Sequence, residues 1–592
     1  MKRALLIISA AIFIINFFSL AEAEQSALDA GLEFVLDANS KTIQLPKVFS
    51  PNINLSGRGF SHQASLPKGM PSLEVLERWE NEMGFSGIYR LNYNLWEEAE
   101  LSGYKETKEK FIANYDFLLQ KITDSDGVAI ISLFGTPSGM GRAFDCRSVP
   151  KDMKAYKSVV KEKMRYLSCQ KHFNIWYEAW NTPDLEEFFL GRAQDYFNIY
   201  RAIAEASKEL EQEYKIHIPV GGPGVSWWFQ GLDENNITNA EKSFIYELLK
   251  FVSRNKLALD FVSWHAYTND PFIEQEKTIY NESSISLLRQ WLEYFHFNYP
   301  VALIIDEWNY DDGVNVTPAR GEKSYLAASY YLSRLFSMYK EGLDQQVYFS
   351  IEDFYNSKES IVRNCGVFWF NPQSDSYEGG AKSSYTVMRM LNYLGKNIYE
   401  SSFKKDDPFV GMIASKADDR TRVLLFNYID KQAGEHLLYR SVATLPEKER
   451  RILLKLIKEN RLGDYLSGKQ NIAQLRVGSR FKNILKQAQD LTTKKSKFTE
   501  SSRFIKITFK NLTGSYILRR YVVEESCGPE CIFEAKEEKE ITAQGAVEQE
   551  LTLDPYQVVL LELSPKPQPP PEIVLPVEEL TKEPEPAVEE SK

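Results

Sequence analysis

The signatures of several enzyme classes are missing from this chain of 592 residues. It has no HExxH, no GxSxG, no glycine-rich phosphate loop and no clustered metal ligands, which argues against proteases, esterases and nucleotide-using enzymes. Neither a metal nor another cofactor is expected. Positive charge is also short. The formal net charge is −11, and an acidic chain is a poor candidate for nucleic-acid binding. Beyond the N-terminus no stretch is long and apolar enough to cross a bilayer. Cysteine is sparse, with five residues, and the odd number leaves at least one unpaired within the chain. Cys527 and Cys531, in the run CGPEC, fit a small disulfide-closed loop in an oxidising compartment. The other reading, a metal pair, has no nearby histidine to complete it.

What is present begins with a leader. Lys2 and Arg3 precede an apolar run from Ala4 to Phe18, and Ala21-Glu22-Ala23 supplies a small-x-small cleavage signal. Residues 1–23 read as a secretory signal peptide, an uncleaved anchor being the other reading. The protein is therefore expected to be secreted or periplasmic, with no integral membrane domain after cleavage. Aromatic residues make up 13% of the chain, enough for a rich core or for a sugar-stacking cleft.

Short apolar runs recur along the first two thirds of the chain: SGIYRLNY, GVAIISLF, NIWYEAW, KIHIPVGG, LDFVSWHAY, VALIIDEW and DQQVYFSI. Their spacing of roughly 40 residues accommodates one strand, one helix and their loops in a β/α barrel. An extended stretch from Lys47 to Asn54 supplies an eighth strand. Segments of helical period lie between them, such as PSLEVLERWENEMG, with Leu73, Leu76 and Trp79 on one face. The fold class is α/β: a (β/α)8 TIM barrel over 24–394, followed by a β-sandwich over 395–564 with a helical insertion at about 445–497. The Pro- and Glu-rich tail at 565–592 has too little apolar surface to fold. The basic helices of the insertion read as a solvated face, an anionic polymer being the alternative partner.

In such a barrel the chemistry sits at the C-terminal ends of the strands. Those ends carry Arg90 and Asn92, Asn181-Thr182-Pro183-Asp184, His265 and Tyr267, Glu307-Trp308-Asn309, and Glu352. Carboxylates, amides and aromatics at strand ends are the groups that sugar chemistry uses. Glu307 ends an almost wholly apolar strand and is the leading candidate for attack on an anomeric carbon. Trp308 beside it offers an apolar face to a sugar ring. The competing reading of Glu307 is a structural acid paired with a cation at the barrel rim.

The motifs WNTPDLEEFF, FVSWHAY and IIDEWN, in this order and spacing, resemble glycoside hydrolase family 39, and KSSYTVMRMLNYLG resembles that family's closing barrel helix. The resemblance runs from about Gly84 to Leu563, without the insertion and the tail. It implies a retaining glycosidase acting on an oligosaccharide or polysaccharide. It also implies Glu307 as nucleophile, Asn181 as a ligand of the neighbouring sugar hydroxyl, and His265 and Tyr267 as lining. Arg90 matches a second-strand arginine, whereas Asn92 stands where a histidine is usual.

One position departs from that pattern. The family's general acid/base Glu is replaced by Thr182, and a threonine hydroxyl does not ionise at useful pH. Loss of a general acid costs about 10²–10⁴ in rate. Four acids lie near it in sequence. Glu178 shares its strand parity but sits about 13 Å deeper at roughly 3.3 Å per residue. Asp184 reads as a turn or helix N-cap residue, and Glu186 and Glu187 as first-turn acids of a helix, although Asp184 and Glu186 are placed to swing in. Two functions follow: a glycosidase of reduced or altered activity, or a non-catalytic glycan-binding protein built on the same barrel.

Overall fold

The computed structural model describes residues 31–57, 69–226, 240–278, 280–310, 325–356, 361–374, 376–400, 407–417, 419–528 and 530–567. Eight parallel strands close on themselves: Ile53–Asn54, Ile88–Asn94, Val128–Phe134, Ile175–Ala179, Val220–Val225, Phe261–Tyr267, Ala302–Asn309 and Gln345–Tyr348. Strands buried on both faces must be apolar along their length, which is why they stand out in the sequence. Helices separate them, among them Ala193–Tyr214 after the fourth strand and Tyr325–Lys340 after the seventh. The helix Leu73–Glu82 buries Val75, Leu76 and Trp79; Leu73, at its first turn, is exposed instead.

The barrel interior is layered. Ile88, Ile130, Phe261, Ile304 and Val347 form an apolar plug. Two residues further along their strands, Arg90 and Asp306 are fully buried, together with Glu178. The polar mouth therefore rests on a dry floor, where charges interact strongly and are costly unless paired.

The second domain is one hydrogen-bonded sheet of eight strands. Its longest strand, Arg503–Val523, pairs along one edge with Ala535–Leu553. Its other edge pairs with Leu32–Asp37 through residues 505–510 and with Val558–Pro565 through residues 516–523. The sequence reads as two strands here, because Asn511 (φ 60°) and Gly514 (φ 110°) interrupt the alternation. The chain bends there, with a bulge between Lys510 and Leu512, and folds the sheet into a sandwich. Leu36, Ile505 and Phe509 of one half share a core with Val423, Leu425 and Leu561 of the other.

Two boundaries differ from expectation. Leu32–Asp37 and Thr42–Gln44 belong to this sheet, so the N-terminal segment completes the sandwich before the chain enters the barrel. The helical insertion begins at Ala433 and runs to Thr499, around a core that includes Leu438, Leu453, Phe481 and Leu485. Cys527 and Cys531 are disulfide-bonded. Among the described residues no helix is long and apolar enough to cross a membrane. The leader at 1–23 and most of the tail at 565–592 lie outside the described residues.

Candidate active site

The seventh strand positions the leading carboxylate. Its register against the sixth strand runs Trp264↔Ile305 and then His265↔Glu307, skipping Asp306. Against the eighth it runs Gln346↔Ile305 and then Tyr348↔Trp308. Both neighbours thus see one extra residue, a β-bulge of the kind that re-aims side chains at barrel rims. The bulge lets two consecutive residues, Asp306 and Glu307, reach the same guanidinium.

That guanidinium is Arg90, on the second strand. Its Nη1 is 2.5 Å from Glu307 Oε1, and its Nη2 donates to Asn181 Oδ1 at 2.7 Å. Nη2 also lies 2.5 Å from Glu178 Oε2, and Nε lies 2.9 Å from both Glu178 Oε2 and Asp306 Oδ2. Glu178 accepts a further bond from Ser263 Oγ at 2.6 Å. Glu307 accepts from the Tyr267 hydroxyl at 2.8 Å, and His265 Nδ1 stands 3.5 Å from it. Asn181, His265, Tyr267 and Glu307, from strands four, six and seven, therefore meet at one mouth of the barrel around Arg90.

Burial governs the ionisation here. It works against the charge on Arg90, but Glu178, Asp306 and Glu307 raise the guanidinium above its ordinary value. Burial also pushes against the charge on Glu178, yet Arg90 and the bonds it accepts hold its carboxyl below the ordinary range. Asp306 goes the other way: burial, then the Glu178 charge, raise it well above. His265 is lowered by burial, with Arg90 adding to the effect, and so is neutral at physiological pH. Tyr267 is raised by burial and by Glu307, and keeps its proton to donate.

Thr182 follows the fourth strand with φ 51°, and Trp180 with φ 67°. A β-branched residue in the left-handed region is strained, and such strain persists only where surroundings impose it. Here the Thr182 amide donates to Gly224 O at 2.9 Å, and Trp180 is wedged against Phe134 and Phe189. Thr182 is 2% exposed and Glu307 8%.

Two expected contacts are corrected. Trp308 has no exposed surface: strand alternation turns it outward, where it stacks on Tyr331 and donates to Gln346. Arg90 is likewise fully buried and organises the mouth from beneath. Of the acids near Thr182, Asp184 lies on a turn as read, whereas Glu186 and Glu187 are placed differently. Asp184 accepts from the Ser226 amide, and Glu186 and Glu187 are exposed on turns. None caps or opens a helix, because the next helix starts only at Ala193. Glu178 is too deep and too firmly paired to reach a substrate. Glu352, beyond the end of strand eight, is tied to Ser72, and burial pushes it up to about 8. Sequence reading missed the floor formed by Glu178, Asp306 and Ser263, for no residue pattern announces a bulge.

Away from the mouth, ligand atoms of Asp270, Asp430 and His436 lie within 4.8 Å of one another. Arg440 pairs with Asp270, and His436 with Asp430 at 2.7 Å, so both acids already have partners of their own.

Comparison with known proteins gives this mouth its context. The family profile of glycosyl hydrolases family 39 matches residues 132–454, more than half of the chain. The chain belongs to glycosyl hydrolases family 39. It is 22% identical to a β-xylosidase of Caldicellulosiruptor saccharolyticus over 290 residues, 47% of this chain and 54% of that protein. It is 26% identical to a β-xylosidase of Geobacillus stearothermophilus over 194 residues, 31% and 34% of the two chains. The chain thus spans about half the length of the first of these curated relatives and a third of the second. Among solved structures, a monomeric β-xylosidase from Caulobacter crescentus CB15 superimposes with a TM-score of 0.57 at 17% identity, covering 90% of this chain and 99% of that one. The family 39 enzyme from Xanthomonas axonopodis pv. citri gives 0.56 at 16%, covering 91% and 98%. At these identities the structural likeness speaks for the fold of this family 39 chain. The matched span contains positions 181, 182, 265, 267 and 307; Arg90 lies outside it.

Proposed function

We propose that this family 39 protein works outside the cytoplasm as a retaining glycosidase on β-xylosides or related glycans, with Glu307 as nucleophile. The observation that carries this reading is Arg90, which holds Asn181 and Glu307 within hydrogen-bond reach of one guanidinium. Glu307 attacks the anomeric carbon, the bond to the leaving oxygen breaks, and a glycosyl ester forms on the carboxylate. Arg90 and Tyr267 orient the two carboxylate oxygens for this attack. With its oxygen engaged by Arg90, the Asn181 amide has its NH2 group left for a sugar hydroxyl. His265, being neutral, does not compete with the sugar for the nucleophile's charge.

Thr182 sets the limits of the reaction. Departure of the leaving group goes unassisted by an acid at this position, so leaving groups stable as anions react first. Water then attacks the ester without help from a base, and the glycosyl-enzyme accumulates. The test is incubation with 2-fluoro glycosyl inactivators bearing good leaving groups, followed by peptide mass mapping. A sugar adduct on Glu307 is expected; no adduct across a broad panel of sugars sinks the reading.

The second reading, a glycan-binding protein without turnover, is favoured by Thr182 alone. It predicts oligosaccharide affinity by calorimetry with no release of phenolate from activated aryl glycosides.

A further inference from the structure

The floor beneath Glu307 poses a charge problem. Glu178, Asp306 and Glu307 all approach one guanidinium, and Glu178 and Asp306 have no exposed surface. With all three ionised, two negative charges would stand uncompensated in a dry site, a costly arrangement. The hydrogen bonding is uneven as well. Arg90 Nε lies 2.9 Å from both acids but makes its aligned bond to Glu178. Neither Asp306 oxygen accepts a well-formed hydrogen bond, and His265 Nε2, 3.8 Å from Asp306 Oδ2, has no partner either. An ionised Asp306 would have the Arg90 Nε ion pair but no aligned donor; a protonated one has the Glu178 carboxylate to donate to.

We propose that Asp306 is a positioning residue for Glu307: it shares one proton with Glu178 beneath the nucleophile, which leaves Arg90 to hold Glu178, Asn181 and Glu307. The floor then carries a single net negative charge. The groups facing Asp306 agree with this. Arg90 comes from the second strand, Glu178 from the fourth, His265 from the sixth and Glu307 from its own strand. Tyr196 comes from the helix Ala193–Tyr214, and burial raises its hydroxyl, which therefore stays neutral. Of these described groups, Arg90 is the cationic one. The direction of the Asp306 shift, upward through burial and the Glu178 charge, accords with the geometry. The bulge that inserts Asp306 into strand seven is what brings this acid under Glu307.

The role at Glu307 rests on the glycosidase reading; the shared proton does not. Infrared difference spectra of protein labelled with carbon-13 aspartate test the proton directly. A protonated aspartyl carbonyl band is expected at neutral pH. It should vanish in Asp306→Asn, and its titration midpoint should fall by about one pH unit or more in Glu178→Gln, where the neighbouring charge is gone. A band that survives Asp306→Asn, no band at all, or a midpoint unmoved in Glu178→Gln overturns the proposal. Trapping by a 2-fluoro glycoside tests the positioning. Asp306→Asn, which retains a neutral donor to Glu178, should slow trapping by less than about tenfold. Asp306→Leu, folded by circular dichroism, should slow it by about a hundredfold, as small misplacements of a reacting group do. Equal slowing in the two variants also overturns it. A wild type that is never trapped refutes the glycosidase reading, and the infrared result still decides the proton.

Discussion

At the residue scale, the proposed reaction turns on position 182. In that proposal Glu307, with a hydroxyl donor in Tyr267 and a cation in Arg90, is held for attack, while Thr182 supplies no proton to the departing oxygen. Two outcomes follow from that imbalance. An activated aryl glycoside should give a burst of phenolate followed by slow turnover. Azide, an anion that needs no base, should accelerate the slow phase and form a glycosyl azide of retained configuration. Thr182→Glu should abolish the azide effect and raise turnover of alkyl glycosides by about 10²-fold or more, as read from steady-state rates. No gain from Thr182→Glu would mean that this position does not face the leaving oxygen. Tyr267→Phe tests the other side of the reaction. It removes one hydrogen bond to a charged acceptor, worth about 1.5–3 kcal/mol, and should slow trapping by about 10- to 100-fold while the fold persists.

Individual strands explain how such residues meet. Gly224, on the fifth strand, has φ 57°, and a Cβ there would lie 3.2 Å from the Glu178 carboxyl. Gly224→Ala should therefore cost about 1 kcal/mol through its left-handed backbone alone. It should also push Glu178 against Arg90, so that the melting temperature falls by about 1 °C and trapping slows together with it. An unchanged trapping rate would show that the Glu178–Arg90 contact tolerates movement. The same strands show what was legible beforehand. A strand with both faces buried announces itself as an apolar run, so the barrel and the residues at its strand ends were readable. Asn181, His265, Tyr267 and Glu307 were placed by that logic together with the family resemblance. A bulge has no such signature: Ile305, Asp306 and Glu307 read as ordinary alternation, and the pairing of two consecutive acids beneath and beside the site emerges only from register. Trp308 follows Glu307 in sequence but faces the other side of the strand, so adjacency alone does not make it a sugar contact. The 21-residue strand Arg503–Val523 reads as two because Asn511 and Gly514 look like a turn, and a bend in a continuous ladder uses the same residues.

Across the whole molecule, the insertion grips the barrel close to the mouth. The loop after the sixth strand, which carries Tyr267, continues into Asp270, where Arg440 of the insertion binds, and into Glu276. The amide of Lys277 donates to Arg440 O at 2.8 Å, and Asn269 pairs with Gln432. Two groups make this junction pH-sensitive. For Glu276, burial and then the charge of Asp270 push the carboxyl from the ordinary 4.5 up to about 7. The folded state thus holds a proton that the unfolded chain has released, and this contribution is lost as pH climbs from 4.5 towards 7. For His436, burial lowers its value, but the bond to Asp430 and the charges of Asp430 and Asp270 outweigh it and raise the imidazole above 6.5. Its ion pair is fully present below 6.5 and fades as pH rises through the raised value. Both shifts point the same way, so the insertion should dock more firmly at pH 5.5 than at pH 8. Limited proteolysis of the full chain at the two pH values is the measurement, with cleavage within residues 433–499 expected to be faster at pH 8. Glu276→Gln keeps a neutral side chain at all pH and should remove much of the difference. Because this loop leaves the strand end that bears Tyr267, the trapping rate of Glu307 should fall in step with this loosening. Cleavage independent of pH, or a trapping rate that ignores it, would show that the junction is mechanically separate from the site.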